Sequence, residues 1–249
     1  MPEMNLVVLT SVDSTNNYLQ QLTAQDLAAE GTVVLGLEQT RGRGQRGKSW
    51  ESHPGLGLYC SVLFQPPFWH VEKQFVLNKA VAVGVALYLE SKTAADIRIK
   101  WPNDIMADGK KIAGILIENN IRGQFLSAVV AGVGINLNHP QMQQNFETPA
   151  TSLFLLNRQH YDAETEVQEL FRFMWQVYRQ LVSGETEWVE AQYQHRLYRR
   201  GERAAFIRGE EVFFGVLEKV NDAGQALINV DGVMDECSHP AVRFLAAGH

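Results

Sequence analysis

The run Ile97-Arg98-Ile99-Lys100-Trp101-Pro102-Asn103-Asp104-Ile105-Met106-Ala107-Asp108-Gly109-Lys110-Lys111-Ile112-Ala113-Gly114-Ile115-Leu116 holds a strand, a stop and a hairpin. Residues 97–101 alternate apolar with polar and end at Pro102, which has no N–H for a central ladder. Asp108-Gly109 then divides Ile105-Met106-Ala107 from Lys110-Lys111-Ile112, a two-residue turn whose centre needs positive φ. That turn predicts a register: Ala107 opposite Lys110, Met106 opposite Lys111, Asp104 opposite Ala113. Side chains alternate along a strand, so Asp104, Met106 and Lys111 are expected on one face. A diagonal pair there lies about 7–8 Å apart, within reach of a lysine. Lys111 reads either as one half of a carboxylate–ammonium site or as an ordinary exposed strand lysine.

Upstream, Asn5–Leu9, Thr32–Glu38 and Gly57–Phe64 are β-branched or apolar runs that read as strands. Asp13-Ser14-Thr15-Asn16 offers helix caps ahead of Tyr18, Leu19 and Leu22, which share a helical face. Gln74–Leu89 is apolar nearly all round and is expected to be an interior helix. Downstream, Lys111–Glu118 and Phe125–Asn136 continue the sheet, with Gly132-Val133-Gly134-Ile135-Asn136 at its end. A polar loop over 139–149 is expected to be mobile. Helices follow near 162–181 and 186–197. From Gly201, short apolar runs are separated by Arg208-Gly209, Asp222-Ala223-Gly224 and Asp231-Gly232, the pattern of a small antiparallel β domain. About fifty residues are marginal alone, so this unit should dock on the rest. The fold class is therefore α+β: a mixed β-sheet packed with helices over 1–200, then a small β domain over 201–249.

The composition sets limits. With 249 residues, 45% hydrophobic and 20% charged, the chain can bury a sizeable core and is not a disordered or fibrous protein. A net charge of −6 argues against non-specific nucleic-acid binding by the whole surface. Cys60 and Cys237 have no metal-ligand spacing and suit a reducing compartment. No signal peptide or membrane-length apolar run is visible, so a cytoplasmic location and no membrane partner are expected.

Against this acidic background, Gln39-Thr40-Arg41-Gly42-Arg43-Gly44-Gln45-Arg46-Gly47-Lys48-Ser49-Trp50 sets four cations among three glycines. Glycine lets backbone approach a ligand, and clustered cations favour a polyanion such as a triphosphate; the alternative is a solvated basic turn. The text also fits the dinucleotide and P-loop patterns, but both need a helix directly afterwards. Pro54, Gly55 and Gly57 forbid one. Mutual repulsion should leave residues 41–50 mobile until an anion arrives.

Taken in order, Asp13-Ser14-Thr15-Asn16, Gly42-Arg43-Gly44-Gln45-Arg46-Gly47, Lys100-Trp101-Pro102-Asn103-Asp104, Lys111-x-x-Gly114-Ile115-Leu116 and Gly132-x-Gly134-Ile135-Asn136 resemble the biotin protein ligases. The resemblance covers nearly the whole chain and implies a lipoate-ligase-related fold whose C-terminal part is an SH3-like β-barrel. It implies a ligase that activates biotin with Mg·ATP to biotinyl-5′-AMP, then passes biotin to a lysine of a biotin carboxyl carrier protein or domain. Lipoate or octanoate ligases share the architecture and are the rival reading.

By the same resemblance, Arg43 and Lys111 would sit between the biotin carboxylate and the α-phosphate. Ser14, Thr15 and Gln39 would hydrogen-bond the ureido head, with Ser14 and Thr15 equally readable as helix caps. Trp50 and the Gly114–Leu116 strand would cover the rings and chain, with Asn16, Gly44, Gln45 and Gly132 also against biotin. Arg46 and Lys48 would steer the outer phosphates. Trp101, Asn103, Asp104 and Asn136 would surround the nucleotide and its Mg²⁺, whose protein ligands stay unassigned. Asp104 could take a proton from the incoming lysine. Gln45 departs from the arginine often found there. The first strand begins almost at residue 1, so no winged helix and no operator DNA binding are expected; a homodimer is left open.

Overall fold

The computed structural model describes residues 4–142 and 148–245. Part of the loop expected to be mobile, residues 143–147, lies outside the described residues. Seven strands form one mixed sheet: β1 (Asn5–Leu9), β2 (Thr32–Gly36), β3 (Gly57–Phe64), β4 (Ile97–Lys100), β5 (Asp104–Ala107), β6 (Lys110–Arg122) and β7 (Phe125–Asn136), in the order β1-β2-β3-β7-β6-β5-β4. Only β1 and β2 run parallel, joined through α1 (Thr15–Ala24); every other neighbour is antiparallel.

The two faces of this sheet differ, and the difference comes from period-two alternation. Leu58, Cys60 and Val62 of β3, Ala113, Ile115 and Ile117 of β6, and Ala131, Val133 and Ile135 of β7 join the main core. That face is covered by α2 (Gln74–Lys92), buried along most of its length as its all-round apolar sequence requires, and by α4 (Ala163–Val182). Asp162 caps α4 by accepting the Thr165 N–H at 2.9 Å. On the opposite face, Leu19 of α1 packs on Val34, Leu63, Ala128 and Val130. Further along that face the same alternation brings up Gly132, Gly134 and Gly114, so the apolar cover gives way to a trough.

Asp108 (φ 48°) and Gly109 (φ 75°) make the expected turn, and Ala107 and Met106 face Lys110 and Lys111 as the sequence predicts. The register expected at Asp104 needs correction. An irregularity between Ile105 and Met106 shifts the ladder, so Ile105 faces Ala113 and Asp104 faces Gly114.

Past the short α3 (Leu153–Asn157) and α5 (Thr186–His195), a second, antiparallel sheet comprises β8 (Arg203–Arg208), β9 (Glu211–Val220), β10 (Ala226–Val230), β11 (Val233–Cys237) and β12 (Val242–Phe244). Its order is β11-β10-β9-β8-β12. The expected SH3-like barrel is not formed: β11 pairs only with β10 and β12 only with β8 among the described residues, so the sheet stays open. With only three residues, β12 pairs one neighbour and offers little ladder for closure.

The second sheet does dock on the first. Lys79 of α2, fully buried, is bridged to Glu190 of α5 at 2.5 Å and to Asp222 of the β9–β10 turn at 3.0 Å. Trp101 Nε1 donates to the Gly224 carbonyl at 2.9 Å. No helix among the described residues is long and apolar enough to cross a membrane.

Candidate active site

The trough opens into a cavity of about 450 Å³, a size suited to small-molecule binding. Its floor is Gly114 and Leu116 of β6 with Gly132 and Gly134 of β7. Glycine is needed here because Trp50 lies on the sheet. A Cβ at Gly114 would come 2.6 Å from Trp50 Cζ3, and one at Gly134 would come 2.7 Å from its Nε1. The indole Nε1 is buried with no partner among the described residues.

One end of the cavity is a connected polar group. Gln39 Oε1 accepts from the Thr15 backbone N–H at 2.9 Å and from Thr15 Oγ1 at 3.2 Å. Ser61 Oγ lies 2.7 Å from Thr15 Oγ1 and 2.6 Å from Asn16 Oδ1. Asn16 Nδ2 donates to Glu118 Oε2 at 2.8 Å, and Glu118 Oε1 pairs with Arg43 Nη2 at 2.7 Å. Ser14 occupies the N-cap position of α1 but its side chain makes no capping bond, so the cap reading of this residue fails. Thr15 Oγ1 spends its bonds on Gln39 and Ser61.

The other end is built by the 101–103 turn, β5 and β6. Lys111 Nζ stands 2.6 Å from Asp104 Oδ1 and 5.3 Å from the centre of the Trp50 ring. Asn103 Nδ2 donates to the Ile115 carbonyl at 2.9 Å, pinning its turn to β6. Trp101 is buried and meets the His239 ring edge-on at 5.5 Å. The second sheet supplies the roof with Ile207, His239, Pro240, Arg243 and Phe244.

Among the described residues, Arg43, Arg46, Lys48, Lys100, Lys111 and Arg243 line this space against one carboxylate, Asp104. In a chain of net charge −6 that is a strong local inversion, suited to an anionic ligand. It also acts on His239: burial, and then the Arg46 and Lys48 cations, hold its imidazole below the usual histidine range.

Most of the sequence-predicted residues meet here. Ser14, Thr15, Asn16, Gln39, Arg43, Gly44, Gln45, Arg46, Lys48 and Trp50 line the cavity from the α1 side and the glycine-rich loop. Trp101, Asn103, Asp104, Lys111, Gly114, Leu116 and Gly132 line it from the sheet. Asn136 does not: its Nδ2 donates to the Thr151 carbonyl at 3.0 Å, tying the end of β7 to the segment before α3.

Arg43 and Lys111 do not converge. Each is paired with its own carboxylate, Glu118 or Asp104, and those two lysine- and glutamate-bearing positions of β6 are roughly 20 Å apart along the strand. The loop's cations are also less mutually exposed than expected, since Arg43 meets Glu118 and Asn17, and Arg46 donates to the His239 carbonyl. A 3₁₀ turn over Gln45–Gly47 is followed by extended chain, which removes the P-loop reading.

Sequence reasoning missed Ser61, Glu118, His239 and Arg243. Ser61 is a lone hydroxyl in an apolar strand, and Glu118 falls two and four residues beyond Leu116 and Gly114, on their face; both signals were legible by period-two counting. The two roof residues needed the tertiary fold.

A strand-floored cavity with a basic glycine-rich loop over it defines the class, and comparison with known proteins agrees. Residues 8–136 match the model of the biotin/lipoate A/B protein ligase family, and the chain belongs to that family. It is 33% identical over 172 residues to a bifunctional ligase/repressor BirA of Bacillus spizizenii, a match covering 67% of this chain and 51% of that protein. The chain thus spans about half the length of such curated relatives. It is 27% identical over 237 residues to a biotin–[acetyl-CoA-carboxylase] ligase of Mycobacterium tuberculosis, covering 91% of this chain and 84% of that one. A biotin protein ligase of Aquifex aeolicus, solved in complex with biotin and ATP, superposes with a TM-score of 0.80 at 26% identity, over 96% of this chain and 99% of that chain.

Proposed function

We propose that this protein is a biotin protein ligase, acting on biotin, Mg·ATP and a biotin carboxyl carrier domain. The observation that carries the reading is the cavity's polarity: hydrogen-bonding side chains beside a neutralised Arg43–Glu118 pair at one end, a cluster of cations at the other, and a flat apolar floor between them. Ser14, Thr15 and Gln39 line this end and offer donors and acceptors for a cyclic urea, with Ser61 behind them bonding Thr15, whereas the dithiolane of lipoate could satisfy none of them. Trp50 and the glycine floor suit a fused ring and an aliphatic chain.

In the first step the biotin carboxylate attacks the α-phosphorus of ATP, the P–O bond to the β-phosphate breaks, and pyrophosphate leaves. Two anions must approach, so fixed cations lower the barrier. Lys111, held by Asp104 at the sheet end, is the residue we assign to the carboxylate–α-phosphate junction. Arg46, Lys48 and Arg243 face the outer phosphates. Arg43 is paired with Glu118 at the opposite end and is not assigned to the junction. In the second step a carrier lysine, neutral at its amine, attacks the acyl carbon and AMP departs; Asp104 is the nearest carboxylate to accept the proton.

No group of three His, Cys, Asp or Glu side chains that could hold a metal occurs among the described residues. One carboxylate beside a phosphate site fits Mg²⁺ that arrives on the nucleotide, since Mg²⁺ commonly uses one or two carboxylates plus phosphate oxygens. We also assign residues 1–200 to a catalytic unit and 201–249 to a unit that roofs it.

ATP–pyrophosphate exchange that depends on added biotin tests substrate, nucleotide and reaction type together. Exchange supported equally by lipoate or octanoate, or by no acid, would overturn the reading.

A further inference from the structure

Among the described residues, Glu118 is the carboxylate that joins the glycine-rich loop to the polar end of the trough. Its side chain is 22% exposed and its two oxygens are fully engaged. Oε1 takes Arg43 Nη2 at 2.7 Å, while Oε2 takes Arg43 Nη1 at 3.3 Å and Asn16 Nδ2 at 2.8 Å. A forked guanidinium–carboxylate contact fixes orientation as well as distance. Arg43 is also gripped by Asn17 Oδ1, so the stem of the loop, where Arg43 bridges to Ser49, is held from β6 and α1 together. Asn16 in turn presents Oδ1 to Ser61, which bonds Thr15, which bonds Gln39. Asn16, Thr15 and Ser61 are almost wholly buried, so this chain has little water to replace a lost partner.

We propose that Glu118 is a latch: a positioning residue that sets the resting place of the 40–50 loop over the trough and, through Asn16, the alignment of the head-group end. It touches no reacting atom. Its position explains why Arg43 and Lys111 take separate carboxylate partners, because the Arg43 guanidinium is committed to the loop's anchorage rather than to the anion site. The substrate part of this inference rests on the biotin reading; the loop part does not.

The test uses the full chain with Glu118→Gln, which keeps an acceptor for Asn16 but removes the charge facing Arg43. In ligand-free protein, amide hydrogen exchange over residues 41–49 should accelerate at least tenfold, with exchange in β6 and α2 unchanged. Arg43→Gln, which loses both Glu118 and Asn17, should accelerate exchange at least as much, and adding Glu118→Gln to it should bring no further change. With biotin and ATP, KM for biotin should rise about tenfold while kcat and KM for ATP stay within twofold. Unchanged loop exchange in the single variant, or additive effects in the double, would overturn the latch. Should wild type fail to use biotin, the functional reading falls, yet the ligand-free exchange result still decides the latch.

Discussion

Lys111 Nζ and Asp104 Oδ1 lie 2.6 Å apart across the β5–β6 hairpin, although the ladder shift sets Asp104 opposite Gly114 and not beside its partner. The pair is partly exposed on both sides, 29% and 21%, so it contributes little to stability. Its value is to hold an ammonium at the mouth of the cationic end.

Replacing Lys111 by Ala should therefore reduce biotin-dependent ATP–pyrophosphate exchange by about 10²–10³-fold, the loss typical of removing one preorganised charge-stabilising donor. The melting temperature should stay within a few degrees. Near-normal exchange in this variant would remove Lys111 from the reaction.

Asp104→Asn separates the two half-reactions. Transfer of biotin from preformed biotinyl-5′-AMP to a carrier domain should slow about 10²-fold if Asp104 takes the lysine proton. A normal transfer rate, measured with adenylate supplied, would exclude it as the base.

The crossing of α2 and α4 rests on one hydrogen atom. A Cβ at Gly84 would come 2.6 Å from Met174 Cα and 3.1 Å from its N, both rigid helix backbone. Gly84→Ala should cost about 1–3 kcal/mol by overpacking, read from denaturant melts, despite alanine's better helix propensity. Equal or greater stability would contradict the close approach.

Lys79 gives an asymmetric expectation. Its side chain is fully buried, while Glu190 and Asp222 are 35% and 64% exposed. Removing both carboxylates as Glu190→Gln/Asp222→Asn leaves an unpaired buried ammonium and should destabilise by about 3–5 kcal/mol. Lys79→Met returns two acids to water and should cost less. The reverse order in chemical denaturation would show that the lysine is not buried in solution.

Two histidines should make the fold acid-sensitive. His239 is held below its usual 6.5 by burial and by Arg46, Lys48 and Arg243, with Asp104 opposing; His139 is held low by burial and by His53, with Glu51 opposing. Below about pH 6.5 the unfolded chain takes up protons that the folded chain resists, so stability present above that pH declines as pH falls through the folded values. Melting temperature should drop between pH 7 and 5.5, and His139→Gln should reduce the slope.

Local patterns made much of this legible. The strands about Asp108-Gly109 and the interior helix from Gln74 followed from periodicity and turn chemistry, whereas most cavity-lining residues were named by the resemblance to biotin protein ligases. The ladder shift at Ile105 was not readable, because an irregularity is a compromise between side chains on both strands. The antiparallel hairpins of the second sheet were legible in its short apolar runs and glycine turns, but the barrel implied by the resemblance was not formed, because closure depends on whether the last strand meets the first. The pairing of Arg43 escaped notice because Glu118 lies 75 positions away and nothing local couples the two.

The union of the two sheets has a consequence for sequence drift. Arg46 donates to the main-chain oxygen of residue 239, and Trp101 to that of residue 224. A peptide oxygen persists whatever side chain the residue bears, so position 239 can vary without unfastening the roof from the loop beneath it. At position 239 the join between the two sheets is thereby insulated from a change of side chain.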